Sequence, residues 1–186
     1  MLYRLISLKI LLLLLSFKVL GQCIPTDASK FFNFLNIYQK DSLEALLHED
    51  FQLLRTYAKY TNNKFTFLNN YLTYSKAYNG KFKILQVIND KEPYQILVED
   101  QSFYLKYLHV EYPIWKFNIT SKDEKINLVI IDTIDGYQKY LTSIKVADDN
   151  FSVWLKMHYP LEEKDELIKQ EGLLLKRLQE FSEKLK

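Results

Sequence analysis

Histidine is the residue type best suited to acid–base chemistry near neutral pH, and the chain has three histidines. His109 follows Phe103, Leu105 and Tyr107 at a spacing of two, so in a β-strand all four side chains lie on one face. The pattern is interpreted as a hydrogen-bonded histidine at the end of a strand, without a chemical role. The alternative is a pocket histidine that acts as a general base, with Tyr107 or Tyr140 as a hydrogen-bond donor.

A second set of ionisable residues, Asp132, Lys139 and His158, falls in one row if the flanking segments are strands paired about an Asp135-Gly136 turn. Asp132 and His158 have the residue types of a catalytic pair. Because Lys139 lies between them, the row is instead interpreted as solvated ion pairs on a polar face, which contribute about 0 to 1 kcal/mol to stability.

The opposite face of the same strands is predicted to be buried and to lack Asp, Glu and His. Its apolar members are Trp115, Phe117, Val129, Ile131, Tyr140, Ile144, Val153 and Leu155. Without an ionisable group, such a face favours binding of a small apolar or aromatic ligand over catalysis. The predicted ligand-binding residues are Tyr107, Trp115, Thr133, Tyr140, Thr142 and Tyr159.

Several other chemistries lack the residues that they need. The three histidines have no metal-ligand spacing and there is a single cysteine, so we predict no metal site. The sequence contains no phosphate-binding glycine loop, no G-x-S-x-G elbow and no H-E-x-x-H helix. We therefore predict that the protein uses no cofactor.

The N-terminus has the layout of a secretory signal peptide. Two basic residues precede an apolar run over 10–15, and Val19 and Gly21 suit cleavage before Gln22. We expect residues 1–21 to be removed, which leaves a periplasmic or secreted protein without a stable membrane span.

Two alternatives to cleavage are an uncleaved anchor and a lipoprotein. The apolar run is shorter than the 18 or more residues typical of a membrane span. The segment Leu20-Gly21-Gln22-Cys23 is similar to a bacterial lipobox, which would place a lipid on Cys23.

Net charge argues against a nucleic-acid partner. Removing residues 1–21 takes away three basic residues and no acidic ones, so the formal net charge changes from +2 to −1. No basic block remains in the rest of the chain, and binding to nucleic acid is therefore not expected.

The elements that must position these residues are helices first and strands afterwards. Apolar spacing predicts a helix over 29–38, a short helix over 41–48, and a third helix from Phe65 to a stop at Asn79-Gly80. After Gly80 the spacing changes to two, and Asp135-Gly136 has the composition of a type I′ hairpin turn. The predicted strands are 82–88, 94–98, 103–110, 114–119, 126–134, 137–146 and 151–158.

This order of elements from Ala28 to Tyr159 resembles the nuclear transport factor 2-like (SnoaL-like) domains. The run Tyr38–Phe51 resembles the same family, with a short helix that begins at Asp41 and an acidic-aromatic pair that opens the first strand. The resemblance implies an α+β fold over 22–160, in which N-terminal helices pack on a curved antiparallel sheet and enclose a cone-shaped pocket.

Two departures from the family pattern are a strand count above the usual six and the long tail after Pro160. Some members of the family carry out isomerase, hydratase or cyclase chemistry in the pocket, whereas others only bind. The resemblance therefore leaves the function open.

The last segment, 161–186, is predicted to be one C-terminal amphipathic helix. Its apolar stripe consists of Leu167, Leu174, Leu178, Phe181 and Leu185. Because a helix interrupted by Gly172 is marginal on its own, the stripe is expected to dock on its own domain. The alternative is a contact with a protein partner or a homodimer.

Two functional hypotheses follow. The first is an exported, non-catalytic module that binds a small apolar or aromatic ligand, or a partner protein, in the cone. The second is a small isomerase, hydratase or hydrolase with His109 as its general base, which requires the His109 side chain to point into the pocket.

Overall fold

A computed structural model describes residues 24–185, so the predicted signal peptide and Cys23 lie outside the described part of the chain. The helices are α1 (Thr26–Asn36), α2 (Lys40–Leu46), α3 (Lys64–Thr66), the π-helical turn π1 (Phe67–Tyr71), α4 (Leu72–Ala77), α5 (Phe103–Tyr107), α6 (Tyr137–His158), α7 (Lys164–Lys169) and α8 (Leu173–Lys184). The strands are β1 (Leu47–Arg55), β2 (Asn62–Asn63), β3 (Phe82–Asn89), β4 (Tyr94–Asp100), β5 (Ile114–Lys122) and β6 (Lys125–Thr133).

The strands form one six-stranded sheet in the order β2-β1-β6-β5-β4-β3. Neighbouring strands are antiparallel except β1 and β6, which are parallel, so the sheet is mixed rather than wholly antiparallel. Register shifts interrupt the β3–β4 and β5–β6 pairs. Such bulges bend and twist a sheet, which produces the curvature of a cone wall. The predicted α+β class, with helices on a curved sheet, is confirmed.

The concave face of the sheet carries the main core, against which α1 packs. Along α1 the buried residues are Ala28, Phe31, Phe32 and Leu35, which recur at helical spacing. The Phe32 ring meets the Phe117 ring edge-on, with 5.0 Å between centroids. Burial of each phenylalanine stabilises the fold by roughly 1.5 to 3 kcal/mol, so these rings hold α1 on the sheet.

The predicted strands over 137–146 and 151–158 are wrong, because both segments belong to the single 22-residue helix α6. Spacings of four fit a strand face and a helix face alike, and Phe151 and Leu155 are four residues apart. Val153 separates the two interpretations. In a strand, Val153 would be buried on the same face as Phe151 and Leu155. In the structure Val153 lies on the outer side of α6 and is 60% exposed.

The predicted Asp135-Gly136 hairpin is therefore also wrong. Gly136 has a φ of 91° and precedes the first turn of α6, a backbone conformation that glycine adopts readily. Ile131 pairs with Phe117 of β5 and with Arg55 of β1 instead of facing Tyr140 across a hairpin.

The row of Asp132, Lys139 and His158 does not form. Asp132 lies on β6, where it forms an ion pair of 3.4 Å with Lys116 of the neighbouring strand. Lys139 lies on α6 and pairs with Glu111. His158, in the last turn of α6, stacks on Trp154. Without a strand after β6 there is no cross-strand register to bring the three together.

The predicted strand 103–110 is replaced by the short helix α5 and a turn. The Ser102 side chain accepts a hydrogen bond from the Leu105 backbone N–H and so caps the start of this helix. At the other end His109 has a φ of 55°, which turns the chain toward β5. The spacing of two through Phe103, Leu105 and Tyr107 therefore does not describe a strand face.

The C-terminal segment contains two helices, α7 and α8, rather than one. Gly172 separates them with a φ of 75°. Leu167, Leu174, Leu178 and Phe181 are buried against α5 and α6 in a second core cluster. Leu185 is 56% exposed, so its predicted docking is wrong. In residues 24–185 we find no helix with the length and apolarity needed to cross a membrane.

Candidate functional site

A cavity of about 700 Å³ lies between the concave face of the sheet, the α4 helix and the first turns of α6. From α6 it is lined by Tyr137, Tyr140, Leu141 and Ile144, which are spaced as i, i+3, i+4 and i+7 and therefore share one helix face. The sheet contributes Trp115, Phe117 and Ile131 from β5 and β6. The helix that was predicted as two strands thus forms one wall of the site.

Stacked aromatic rings form a large part of the wall. The Tyr57 ring lies nearly parallel to Trp115 at 5.1 Å, and the Tyr140 ring meets Trp115 edge-on at 5.7 Å. Burial raises the pKa of Tyr57 and of Tyr140 above the usual 10. Both phenols are therefore neutral at physiological pH and can donate hydrogen bonds into the cavity.

Arg55 brings a positive charge to the cavity from the last position of β1. Its guanidinium carbon lies 5.0 Å from the centre of the Tyr71 ring and 5.6 Å from that of Tyr60. The Nη1 atom is buried and has no hydrogen-bond partner among the described residues. This is an unsatisfied donor at the wall of a cavity.

Asp100 brings a carboxyl group to the same cavity from the end of β4. Burial raises its pKa to about 6, against the lowering effect of hydrogen bonds from Ser102, whose backbone nitrogen lies 3.1 Å from Oδ1. The charge of Asp100 in turn raises the pKa of Tyr71 and Tyr140, after the larger effect of burial. A carboxyl with a pKa close to neutrality can exchange protons at working pH.

The prediction that the pocket face lacks ionisable groups is therefore wrong. Asp100 lies between the predicted strands 94–98 and 103–110, and Arg55 lies between the predicted helix 41–48 and the one that begins at Phe65. One signal in the sequence does point to the acid: Ile96 and Val98 are buried on β4, and Asp100 continues their spacing of two.

The six predicted ligand-binding residues do not converge. Trp115 and Tyr140 line the cavity. Thr133 ends β6 opposite Trp115 and is not part of the lining. Tyr107 packs against the second core cluster instead.

Thr142 and Tyr159 also lie away from the cavity. Thr142 is exposed on α6, where its hydroxyl donates to the Gln138 carbonyl. Tyr159 donates to a Glu180 carboxylate oxygen at 2.7 Å and lies 3.6 Å from the Arg177 guanidinium carbon. Its role is to connect the end of α6 to α8.

His109 points away from the main cavity. Its Nε2 lies 2.9 Å from the Ser182 Oγ of α8, beside a separate shallow recess between α6 and α8. Within residues 24–185 no acidic side chain forms an ion pair with it. The geometry required of His109 as a general base in the pocket is absent, because α5 and its turn replace the predicted strand.

Within the described part of the chain no three His, Cys, Asp or Glu residues are grouped so that they could hold a metal ion. The chemistry that the cavity offers is that of one carboxyl group, one guanidinium and several neutral phenols. This combination can bind and orient an organic molecule, and it can move a proton at Asp100.

No protein-family model and no curated protein sequence matches this chain. Among solved structures it is similar to an NTF2-like protein from Cytophaga hutchinsonii, with 9% identity, a TM-score of 0.48, and coverage of 64% of this chain and 99% of that one. A protein with a ketosteroid isomerase-like fold from Catenulispora acidiphila is 9% identical, with a TM-score of 0.48 and coverage of 59% and 85%.

A protein with a cystatin-like fold from Silicibacter pomeroyi is 10% identical, with a TM-score of 0.51 and coverage of 75% of this chain and 95% of that one. Similarity at these identities concerns the fold alone. In this chain, helices pack on a curved, mixed six-stranded sheet and enclose a cavity together with it. The described part of this chain therefore has the nuclear transport factor 2-like α+β fold that the order of its elements predicts.

Proposed function

We propose that the protein binds a small molecule with an apolar or aromatic surface inside the cavity. The observation that carries this proposal is the cavity of about 700 Å³ that is lined by the stacked rings of Tyr57 and Trp115 and by the edge-on ring of Tyr140. Ligand pockets usually have volumes of about 300 to 1,000 Å³ and combine aromatic walls with a few polar groups. Arg55 and Asp100 are the charged groups among the polar residues that line this cavity.

The test is ligand retention by the purified protein, measured by native mass spectrometry and identified after denaturation. Leu141 lies at the rim of the cavity and is 38% exposed, so Leu141→Trp should fill the entrance without disturbing the fold. We expect this variant to lose the retained molecule. Val146→Trp is the matched control, because Val146 lies on the same helix, outside the cavity, and is 56% exposed. Equal retention by both variants would place the ligand elsewhere.

A second candidate is an enzyme that uses Asp100, rather than His109, to accept a proton. The observation that favours it is the carboxyl of Asp100, which is buried and has a pKa of about 6. Neutral tyrosines such as Tyr140 share its cavity, and their hydroxyls can stabilise negative charge on a substrate oxygen. An isomerase or hydratase needs this pair of functions. The fold is compatible with either role and does not choose between them.

The test of this candidate is proton exchange at the carbon next to a carbonyl, followed by NMR in D₂O with 3-cyclohexenone as the probe. The parent protein should accelerate exchange, and Asp100→Asn should abolish the acceleration. Asp90→Asn is the control, because Asp90 is an exposed acid in the β3–β4 loop. Exchange that persists in Asp100→Asn would remove Asp100 from the mechanism.

We also propose that the protein is exported, which rests on the sequence pattern of residues 1–21. A homodimer or partner contact through the C-terminal leucines has lost its main support, because Leu174 and Leu178 are buried by their own chain. A partner would have to use another surface.

A further inference from the structure

The two described arginines have opposite surroundings. Arg177 is fully engaged: its Nη2 and Nε donate to Glu162 at 2.6 and 2.8 Å, and its Nη1 lies 3.1 Å from Glu180. Arg55 forms no ion pair with any residue in 24–185, and its buried Nη1 has no acceptor there. Arg177 is therefore a structural cation, whereas Arg55 has no anionic partner in the described part of the chain.

Arg55 is half-buried, and a guanidinium that is partly removed from water needs an anionic partner more than an exposed one does. Removing a charge from water costs free energy that only an opposite charge and hydrogen bonds recover. The Tyr71 and Tyr60 rings contact Arg55, and the Tyr71 hydroxyl accepts a hydrogen bond from the guanidinium. Both tyrosines are neutral, however, and neither satisfies Nη1. Nη1 therefore remains available for an acceptor that enters the cavity.

We propose, on the basis of the ligand-binding function above, that the natural ligand is an aromatic or alicyclic monocarboxylate whose carboxylate pairs with Arg55. Guanidinium and carboxylate match in shape and form charge-assisted hydrogen bonds. The ring system then lies against Tyr57 and Trp115, which already stack on each other in the same cavity. One end of the cavity is thus selective for charge and the rest for flat apolar surface.

Asp100 limits the ligand to one negative group. It lines the same cavity but forms no ion pair with Arg55, and both charges act on Tyr71. A second carboxylate on the ligand would therefore lie beside the like charge of Asp100. It would lose its hydration without gaining a cationic partner, which would weaken binding. A hydroxyl or amine at that position would instead donate a hydrogen bond to Asp100.

The experiment uses Trp115 as its reporter. The chain has two tryptophans, so Trp154→Phe leaves only the residue in the cavity wall. The probes are 2-naphthoate, the neutral 2-naphthalenemethanol and 2,6-naphthalenedicarboxylate, titrated by fluorescence quenching and confirmed by calorimetry. We expect 2-naphthoate to bind about 10- to 100-fold more tightly than the alcohol, and the dicarboxylate to bind less tightly than 2-naphthoate.

Variants of Arg55 separate the roles of charge and shape. In Arg55→Gln the preference for 2-naphthoate should disappear while the affinity for the alcohol stays within about twofold, because the rings are unchanged. Arg55→Lys keeps the charge but loses the planar geometry and should retain part of the preference. Lys106→Gln, which removes an exposed cation on α5, should change neither affinity.

The outcomes also distinguish this proposal from the ligand-binding function. If the alcohol and 2-naphthoate bind equally to the parent protein, the carboxylate proposal is overturned and cavity binding stands. If no probe binds up to its solubility limit, both are contradicted. If Arg55→Gln fails to fold, two measurements still test the carboxylate proposal. They are the ratio of the affinities for 2-naphthoate and the alcohol in the parent protein, and the decrease of that ratio in Arg55→Lys.

Discussion

Asp100 is a residue whose placement serves the site at the expense of stability. Its carboxyl ends β4 inside an aromatic cavity, and burial raises its pKa from 3.8 to about 6. In the unfolded chain the same carboxyl ionises near pH 4. A residue kept in a position that weakens the fold is a common feature of binding and catalytic sites.

We predict that Asp100→Asn stabilises the protein at pH 7.5. Below about pH 4 the Asp100 carboxyl is protonated in both the folded and the unfolded protein, so it does not lower the free energy of unfolding. As the pH rises from about 4 to 6, the unfolded chain releases the proton while the folded protein retains it. Stability is therefore lost over this window, by up to about 3 kcal/mol. The Asn side-chain oxygen can still accept from the Ser102 backbone nitrogen.

The measurement is the free energy of unfolding from urea melts at pH 4, 5, 6 and 7.5. The difference in the free energy of unfolding between Asp100→Asn and the parent protein should grow between pH 4 and 6 and stay constant above pH 6. Asp90→Asn, at an exposed position, should follow the parent throughout. A variant that is less stable than the parent at pH 7.5 would contradict the prediction.

At the scale of elements, α6 has two functions along its length. Its first turns supply Tyr137, Tyr140 and Ile144 to the cavity, and its later turns bury Phe151 and Leu155 in the second core cluster. The C-terminal helices α7 and α8 cover that second cluster. They therefore hold the wall of the cavity in place without touching it.

We predict that Leu174→Ala and Leu178→Ala each lower the free energy of unfolding by about 2 to 5 kcal/mol, because both leucines are almost completely buried and truncation leaves a cavity. Leu185→Ala, at the residue that directly follows α8, is the matched control. Since Leu185 is 56% exposed, it should cost less than about 0.5 kcal/mol. Denaturant melts measure all three, and equal effects would show that α8 is not docked.

The junction between α7 and α8 allows a separate prediction. Gly172 has a φ of 75°, and a Cβ at this position would meet no atom within 4 Å. The penalty for Gly172→Ala is therefore that of the backbone alone, about 1 to 2 kcal/mol. Gly172→Asn should cost less, because asparagine tolerates the left-handed region. Thermal melts of the two variants test this order, and the reverse order would contradict it.

At the scale of the whole molecule, the two cores are coupled beside the cavity. Tyr78 lines the cavity and packs on Tyr104, with ring centroids 4.6 Å apart. Tyr104 donates to Asp148 of α6, which also pairs with Lys164 of α7. A polar cluster from three helices therefore lies directly behind the wall of the site, so the tail after Pro160 completes the domain.

We predict that the exported protein begins at Gln22. The basic start, the short apolar run and the small residue at Gly21 indicate signal-peptidase cleavage there. N-terminal sequencing and intact mass of the protein from its native host decide the outcome. A mature chain that starts at a lipid-bearing Cys23, or an intact Met1 in the membrane fraction, would show that one of the two alternatives is correct.

The sequence by itself determined the first helices, the strands β3 to β6, the buried alternation through Trp115 and Phe117, and the apolar stripe of the last helices, but it did not determine β1 or α5. The features that it determined are local, because the spacing of apolar residues records which side of an element is covered. It did not determine α6, since a spacing of four fits both a strand and a helix, and only the position of Val153 resolves the choice.

The composition of the site was decided by the tertiary structure. Arg55 and Asp100 lie on β1 and β4, which are separated in the sheet by β6 and β5. Both line the same cavity only because the curved sheet turns these two strand ends toward it. No spacing along the chain encodes that convergence, which depends on strand order and on the parallel pairing of β1 with β6. His109 shows the converse: its local pattern suggested a pocket residue, but the cap at Ser102 makes α5 a helix and turns His109 toward Ser182.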